Sequence, residues 1–107
     1  MKLLLVVLTI FLLSLEVAFA EKIVIVQKDL KFEPIIKVAK PNDIITFKNE
    51  DTVTHNLVSF TKDFEFDLGK IEPGMIKSLQ FTGDGIVDVE CTVHPNMKMT
   101  LFIRKQY

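Results

Sequence analysis

From Lys22 onward the chain is written in short runs that carry the period of a β-strand and not that of a helix. Ile76-Lys77-Ser78-Leu79-Gln80-Phe81 alternates apolar and polar side chains, the mark of a strand with one face on a core and one in water. Lys22–Gln27, Ile35–Val38, Ile44–Asn49, Thr52–Val58, Gly85–Cys91 and Lys98–Ile103 are runs of similar length, several of them rich in β-branched residues. Pro41-Asn42-Asp43, Pro73-Gly74 and Gly83-Asp84-Gly85 punctuate them. Roughly seven or eight short strands, with turn signals about every 8–12 residues, predict an all-β chain: an antiparallel β-sandwich with Greek-key connections. Phe32, Phe47, Phe81 and Phe102 are the expected centre of its core, in a chain with nine phenylalanines and no tryptophan.

The first 20 residues read differently. Lys2 precedes an almost wholly apolar run from Leu3 to Leu15, and Ala18-Phe19-Ala20 has the small-x-small pattern of a cleavage site. The run is about 13 residues, short of the roughly 20 that a spanning helix needs. Residues 1–20 are therefore expected to be a cleaved signal peptide, and residues 21–107 one exported, periplasmic domain with no stable membrane insertion. A domain of this size buries only about 60–65% of its unfolded surface, so a bound metal would add useful stability. Its charge is balanced and no basic tract occurs, which argues against nucleic acid as a partner.

The chain has one cysteine and two histidines. Cys91, His94 and Met97 share the run Cys91-Thr92-Val93-His94-Pro95-Asn96-Met97, between the last two expected strands, and His55 lies in an earlier strand. A lone cysteine cannot form an internal disulfide, and a free thiol in an oxidising compartment is exposed to oxidation. Coordination to a metal removes that difficulty. A thiolate, two imidazoles and a thioether suit copper: a His₂Cys trigonal set with a long axial methionine is the ligand pattern of a blue-copper site. Zinc accepts cysteine and histidine too, but its structural sites complete a tetrahedron with further Cys or His. The expected ligands are His55, Cys91, His94 and Met97, with Met99 the competing axial candidate.

These residues resemble those of a known family. Val89-Glu90-Cys91-Thr92-Val93-His94-Pro95-Asn96-Met97-Lys98 is similar to the short ligand loop of the cupredoxins, the small type I copper proteins, within the amicyanin, pseudoazurin and plastocyanin group. Ile45-Thr46-Phe47-Lys48-Asn49-Glu50-Asp51, leading into Thr54-His55-Asn56-Leu57, resembles the family's aromatic-x-Asn-x-Asp segment before the first histidine ligand. The resemblance implies equatorial His55, Cys91 and His94, axial Met97, and an Asn56 that steadies the cysteine loop. Phe47, Glu90 and Met99 depart from the residues common at those places.

The implied function is that of a monomeric, non-enzymatic shuttle that holds one type I copper ion and passes single electrons between redox partner proteins, which dock briefly near His94. The alternative is a copper carrier or store that delivers the metal to an oxidase; paired methionines suit Cu(I). Glu50, Asp51, Asp63, Glu65 and Asp67 read first as solvated surface, and second as a field that steers a partner.

Overall fold

A computed structural model describes residues 19–105. All of the expected leader except Phe19 and Ala20 lies outside the described residues. Nine strands follow in order: β1 (Lys22–Lys28), β2 (Lys31–Glu33), β3 (Ile36–Ala39), β4 (Ile44–Asn49), β5 (His55–Ser59), β6 (Phe66–Ile71), β7 (Ile76–Leu79), β8 (Gly85–Glu90) and β9 (Lys98–Ile103). They form two sheets, one ordered β2-β1-β4-β7 and the other β3-β9-β8-β5-β6. The architecture is the expected β-sandwich. Both sheets are mixed, because β1 lies parallel to β4 and β3 parallel to β9, whereas the strand pattern alone suggested antiparallel pairing throughout. Periodicity reports which face of a strand is buried; it carries nothing about the direction of the neighbour.

The strands β2 and β6 were not anticipated. β2 is three residues long, too short for alternation to show. β6 contains Gly69 and Lys70, and its burial is mostly partial, so it lacks a clean period of two. Gly69 has a job there. Between the Asn56–Lys70 and Val58–Asp67 pairs, Leu68 and Gly69 of β6 oppose Leu57 alone, which makes a bulge. Gly69 takes φ = 70°, a left-handed backbone that glycine adopts without strain.

The core lies between the sheets. Ile23, Ile25, Phe32, Ile45, Phe47, Leu57, Ile71, Val87, Val89, Leu101 and Ile103 are buried in it, and Phe64, Phe66, Leu68, Leu79 and Phe81 pack at its margin. Phe32 and Phe47 meet edge to face, with ring centroids 6.3 Å apart, a favoured aromatic geometry. Phe102 corrects an expectation. In β9 the inward side chains are Met99, Leu101 and Ile103, so strand parity turns Phe102 to the outer face, half-buried beside Val38 and Ile86 in register.

Two turns are marked by the residues that form them. Met75 N–H donates to Glu72 O (2.9 Å) across Pro73-Gly74, with Gly74 at φ = 82°; proline then positive-φ glycine is the type II pattern. Asp43 is buried at the end of the Pro41–Asp43 turn and accepts N–H groups from Lys40 (2.8 Å) and Glu21 (3.0 Å).

The connection from β4 to β5 is held from inside. Asn49 is fully buried. Its Nδ2 donates to Val53 O and Ile71 O (2.8 Å each), and its Oδ1 accepts Asp51 N–H (2.8 Å). One side chain therefore shapes the bend at residues 50–54 and fixes where β5 begins. That start is His55.

Two stability outcomes follow from this packing, both readable by denaturant unfolding. Phe47→Ala removes a fully buried ring and is expected to cost about 3–5 kcal/mol, while Phe60→Ala, at 71% exposure, should stay within about 0.5 kcal/mol. Asn49→Ala leaves the buried carbonyl of Ile71, the carbonyl of Val53 and the Asp51 N–H without their partner, and is expected to cost about 1–3 kcal/mol.

Candidate metal centre

The pairing of β5 with β8 brings the distant parts together. Val58 lies opposite Glu90. One more step along the two antiparallel strands would set Cys91 beside Leu57, and the next Thr92 beside Asn56. There the backbone ladder stops and a side chain continues it. Thr92 N–H donates to Asn56 Oδ1 (2.7 Å), and Asn56 Nδ2 donates to Thr92 Oγ1. Asn56 N–H points at Cys91 Sγ, 3.5 Å away. Asn56 thus clasps the cysteine loop to β5 by its side chain and faces the sulfur with its backbone, in line with the steadying role that the resemblance implied.

The loop itself is a tight connection between β8 and β9. Cys91 N–H donates to Met97 O (3.1 Å), which extends the β8–β9 register by one rung, and Met97 N–H donates to His94 O (2.9 Å). The second bond closes a four-residue turn, His94-Pro95-Asn96-Met97, with proline at the position whose φ it presets. This turn lifts the His94 ring back over Cys91.

The result is a cluster of three donor atoms. His55 Nδ1 and His94 Nδ1 are 3.2 Å apart, and Cys91 Sγ lies 3.8 Å from the first and 3.9 Å from the second. The shape of that triangle can be tested against a metal. With bonds of about 2.0 Å to nitrogen and 2.3 Å to sulfur, a trigonal ion would space its nitrogens about 3.5 Å apart and each nitrogen about 3.7 Å from the sulfur. The observed triangle is close to that, so the three groups fit one small ion without rearrangement of the chain. His55 and Cys91 are buried and His94 is partly exposed, between exposed Val93 and Pro95.

Met97 is buried, and its backbone pairs with Cys91. Met99 is buried too, but it lies opposite Val89, one inward-facing position further from the loop. Register therefore keeps Met97 nearer the cluster.

One functional neighbour was misread from sequence. Glu50, Asp63, Glu65 and Asp67 are exposed, as solvated surface requires, but Asp51 is not a steering charge. Its side chain is only 11% exposed, and Oδ2 sits 2.6 Å from His55 Nε2. Asp51 Oδ1 accepts Asp29 N–H (2.6 Å) and Oδ2 accepts Leu30 N–H (3.1 Å). Burial pushes the Asp51 carboxyl up, but the hydrogen bonds from His55, Leu30 and Asp29 outweigh it, and its pKa is held below the usual carboxylate value. The sequence did carry a signal: an aspartate four residues before the histidine, across a bend that a buried asparagine organises.

The sequence matches no protein-family model and no curated protein. Solved structures do resemble it. A variant of amicyanin in its Cu(I) form is 26% identical, with a TM-score of 0.73 over 83% of this chain and 87% of that one. A purple cupredoxin from Nitrosopumilus maritimus is 17% identical, with a TM-score of 0.69 over 77% of this chain and 99% of its own. A copper-containing nitrite reductase from Thermus scotoductus SA-01 is 20% identical with a TM-score of 0.74; the match covers 80% of this chain but only 23% of the reductase. With its two-sheet sandwich and its convergence of His55, Cys91 and His94, the chain is identified as a protein of cupredoxin fold.

Proposed function

We propose that the protein is a type I copper protein that carries single electrons, with His55, Cys91 and His94 as equatorial ligands and Met97 as the axial one. The observation that carries this reading is the triangle of two imidazole nitrogens and a thiolate sulfur, with a buried methionine on the adjoining rung. That donor set is the one a blue-copper centre uses. When bound, copper supplies a one-electron couple between Cu(I) and Cu(II).

The chain's own residues supply the rest. His55 holds its position from the rigid start of β5, and Cys91 from the end of β8. Asn56 N–H faces the sulfur and moderates its electron density. Because strands and one proline turn hold the donors, little need move when the charge of the centre changes. The partly exposed ring of His94 is the route to the surface, and Val93 and Pro95 beside it form an apolar rim on which a redox partner would dock. Such encounters are brief and small in area, below about 1,200 Å². With four protein ligands in place no coordination position stays open for a substrate, so an enzymatic role is not part of the proposal.

Export to the periplasm rests on the leader-like residues 1–20. Among the described residues no helix is long and apolar enough to cross a membrane. A copper carrier would use the same ligands, but burial of Cys91, Met97 and Met99 favours retention of the ion over transfer.

Addition of Cu(II) to the purified protein should produce an intense thiolate-to-copper absorption band in the visible, lost on reduction and absent in Cys91→Ser. A weak, broad spectrum in the unaltered protein would contradict the proposal. Loss of copper to a mild chelator, with the band otherwise normal, would point to the carrier role. Met97→Leu should shift the band and the reduction potential, whereas Met99→Leu should leave both in place and cost less than about 1.5 kcal/mol of stability.

A further inference from the structure

His55 is gripped on both sides of its ring. Nδ1 faces Cys91 and His94, and Nε2 meets Asp51 Oδ2 at 2.6 Å. The ring is fully buried, so water does not compete for either nitrogen. The carboxylate is itself held. Asp29 and Leu30 have φ = 52° and 57°, and their consecutive N–H groups converge on the two oxygens of Asp51, as in the backbone nests that bind anions. Asp51 N–H is in turn bonded to Asn49 Oδ1. Backbone and side-chain bonds therefore fix the carboxylate before any metal binds.

An ionised carboxylate accepts hydrogen bonds and donates none. Neutral His55 must then carry its proton on Nε2, which leaves the Nδ1 lone pair directed at the cluster. We infer that Asp51 is the positioning residue of this centre: it locks His55 in the Nε2–H form and, through its negative charge, favours the higher oxidation state of the bound ion. This inference rests on the copper reading of the site and adds its tuning group. Partners beyond the ligand shell are known to orient a ligating imidazole and raise its basicity. A more basic ligand backed by an anion stabilises Cu(II) more than Cu(I), so Asp51 lowers the reduction potential.

The competing role is that of a clasp for the turn between β1 and β2, since the same oxygens hold that turn. Asp51→Asn separates the two. Its amide oxygen can still accept the Asp29 N–H, while the substitution removes the charge and puts an N–H donor in place of the oxygen that faces Leu30 N–H and His55 Nε2. Ring ¹⁵N NMR of the metal-free protein reads the His55 tautomer, and voltammetry of the copper-loaded protein reads the potential.

The expected result is Nε2–H in the unaltered protein and a shift toward Nδ1–H in Asp51→Asn. The Cu(II)-to-Cu(I) affinity ratio of that variant should fall about tenfold, which raises the potential by ~59 mV. Asp51→Glu should recover part of the shift. A lower unfolding midpoint with tautomer and potential unchanged would overturn the inference and leave Asp51 a turn clasp. Should Asp51→Asn fail to fold, Nδ1–H in the unaltered protein would overturn it equally. Absence of the thiolate-to-copper band in the unaltered protein would overturn the copper reading and the potential shift with it; the tautomer, read without metal, stands or falls on its own signal.

Discussion

The site depends on a single strand pairing, β5 against β8. Their shared rung at Val58 and Glu90 decides which residue of the first half of the chain meets which residue of the last loop. A slip of one residue would turn every side chain of β5 to the opposite face. His55 and Leu57 would both leave the interior, and Asn56 would turn inward. Asn56 guards against this. It bonds Thr92 where the ladder would otherwise fray, and places its N–H against the cysteine sulfur. Register and coordination geometry are thus one constraint.

Burial then sets the chemistry. His55 and Cys91 are inside the sandwich, and His94 reaches the surface. An unpaired buried imidazole is costly, and here each nitrogen of His55 has a partner: Asp51 on one side and the cluster on the other. The bend from Asn49 to Thr54 supplies that arrangement. It contains a polar network that touches both the core and the cluster, and it extends through Asp51 to the β1–β2 turn.

Much of this was legible in the sequence, for identifiable reasons. β4 and β9 are found at their expected bounds: a β-branched run follows the Pro41-Asn42-Asp43 turn signal in β4, and β9 begins directly after the Cys91–Met97 loop. The His94-Pro95-Asn96-Met97 turn and the Pro73-Gly74 turn are local, so residue identity suffices. The grouping of His55, Cys91 and His94 was legible because the chain contains no other cysteine or histidine. What was not legible is non-local. The parallel pairings of β1 with β4 and β3 with β9 follow from sheet topology, not from periodicity. Phe102 faces outward because Leu101 and Ile103 take the inward positions of β9, and a run of three large apolar residues conceals its own parity. Asp51 looked like surface because aspartate usually is surface; its burial depends on two left-handed residues 22 and 21 positions away.

A crystal structure of the copper-loaded protein, with the ion located by its anomalous scattering, tests the central claim most directly. The predicted result is one copper ion within bonding distance of His55 Nδ1, His94 Nδ1 and Cys91 Sγ, with Met97 Sδ at a longer distance on the axis. Copper bound elsewhere, or held without Cys91, would contradict it.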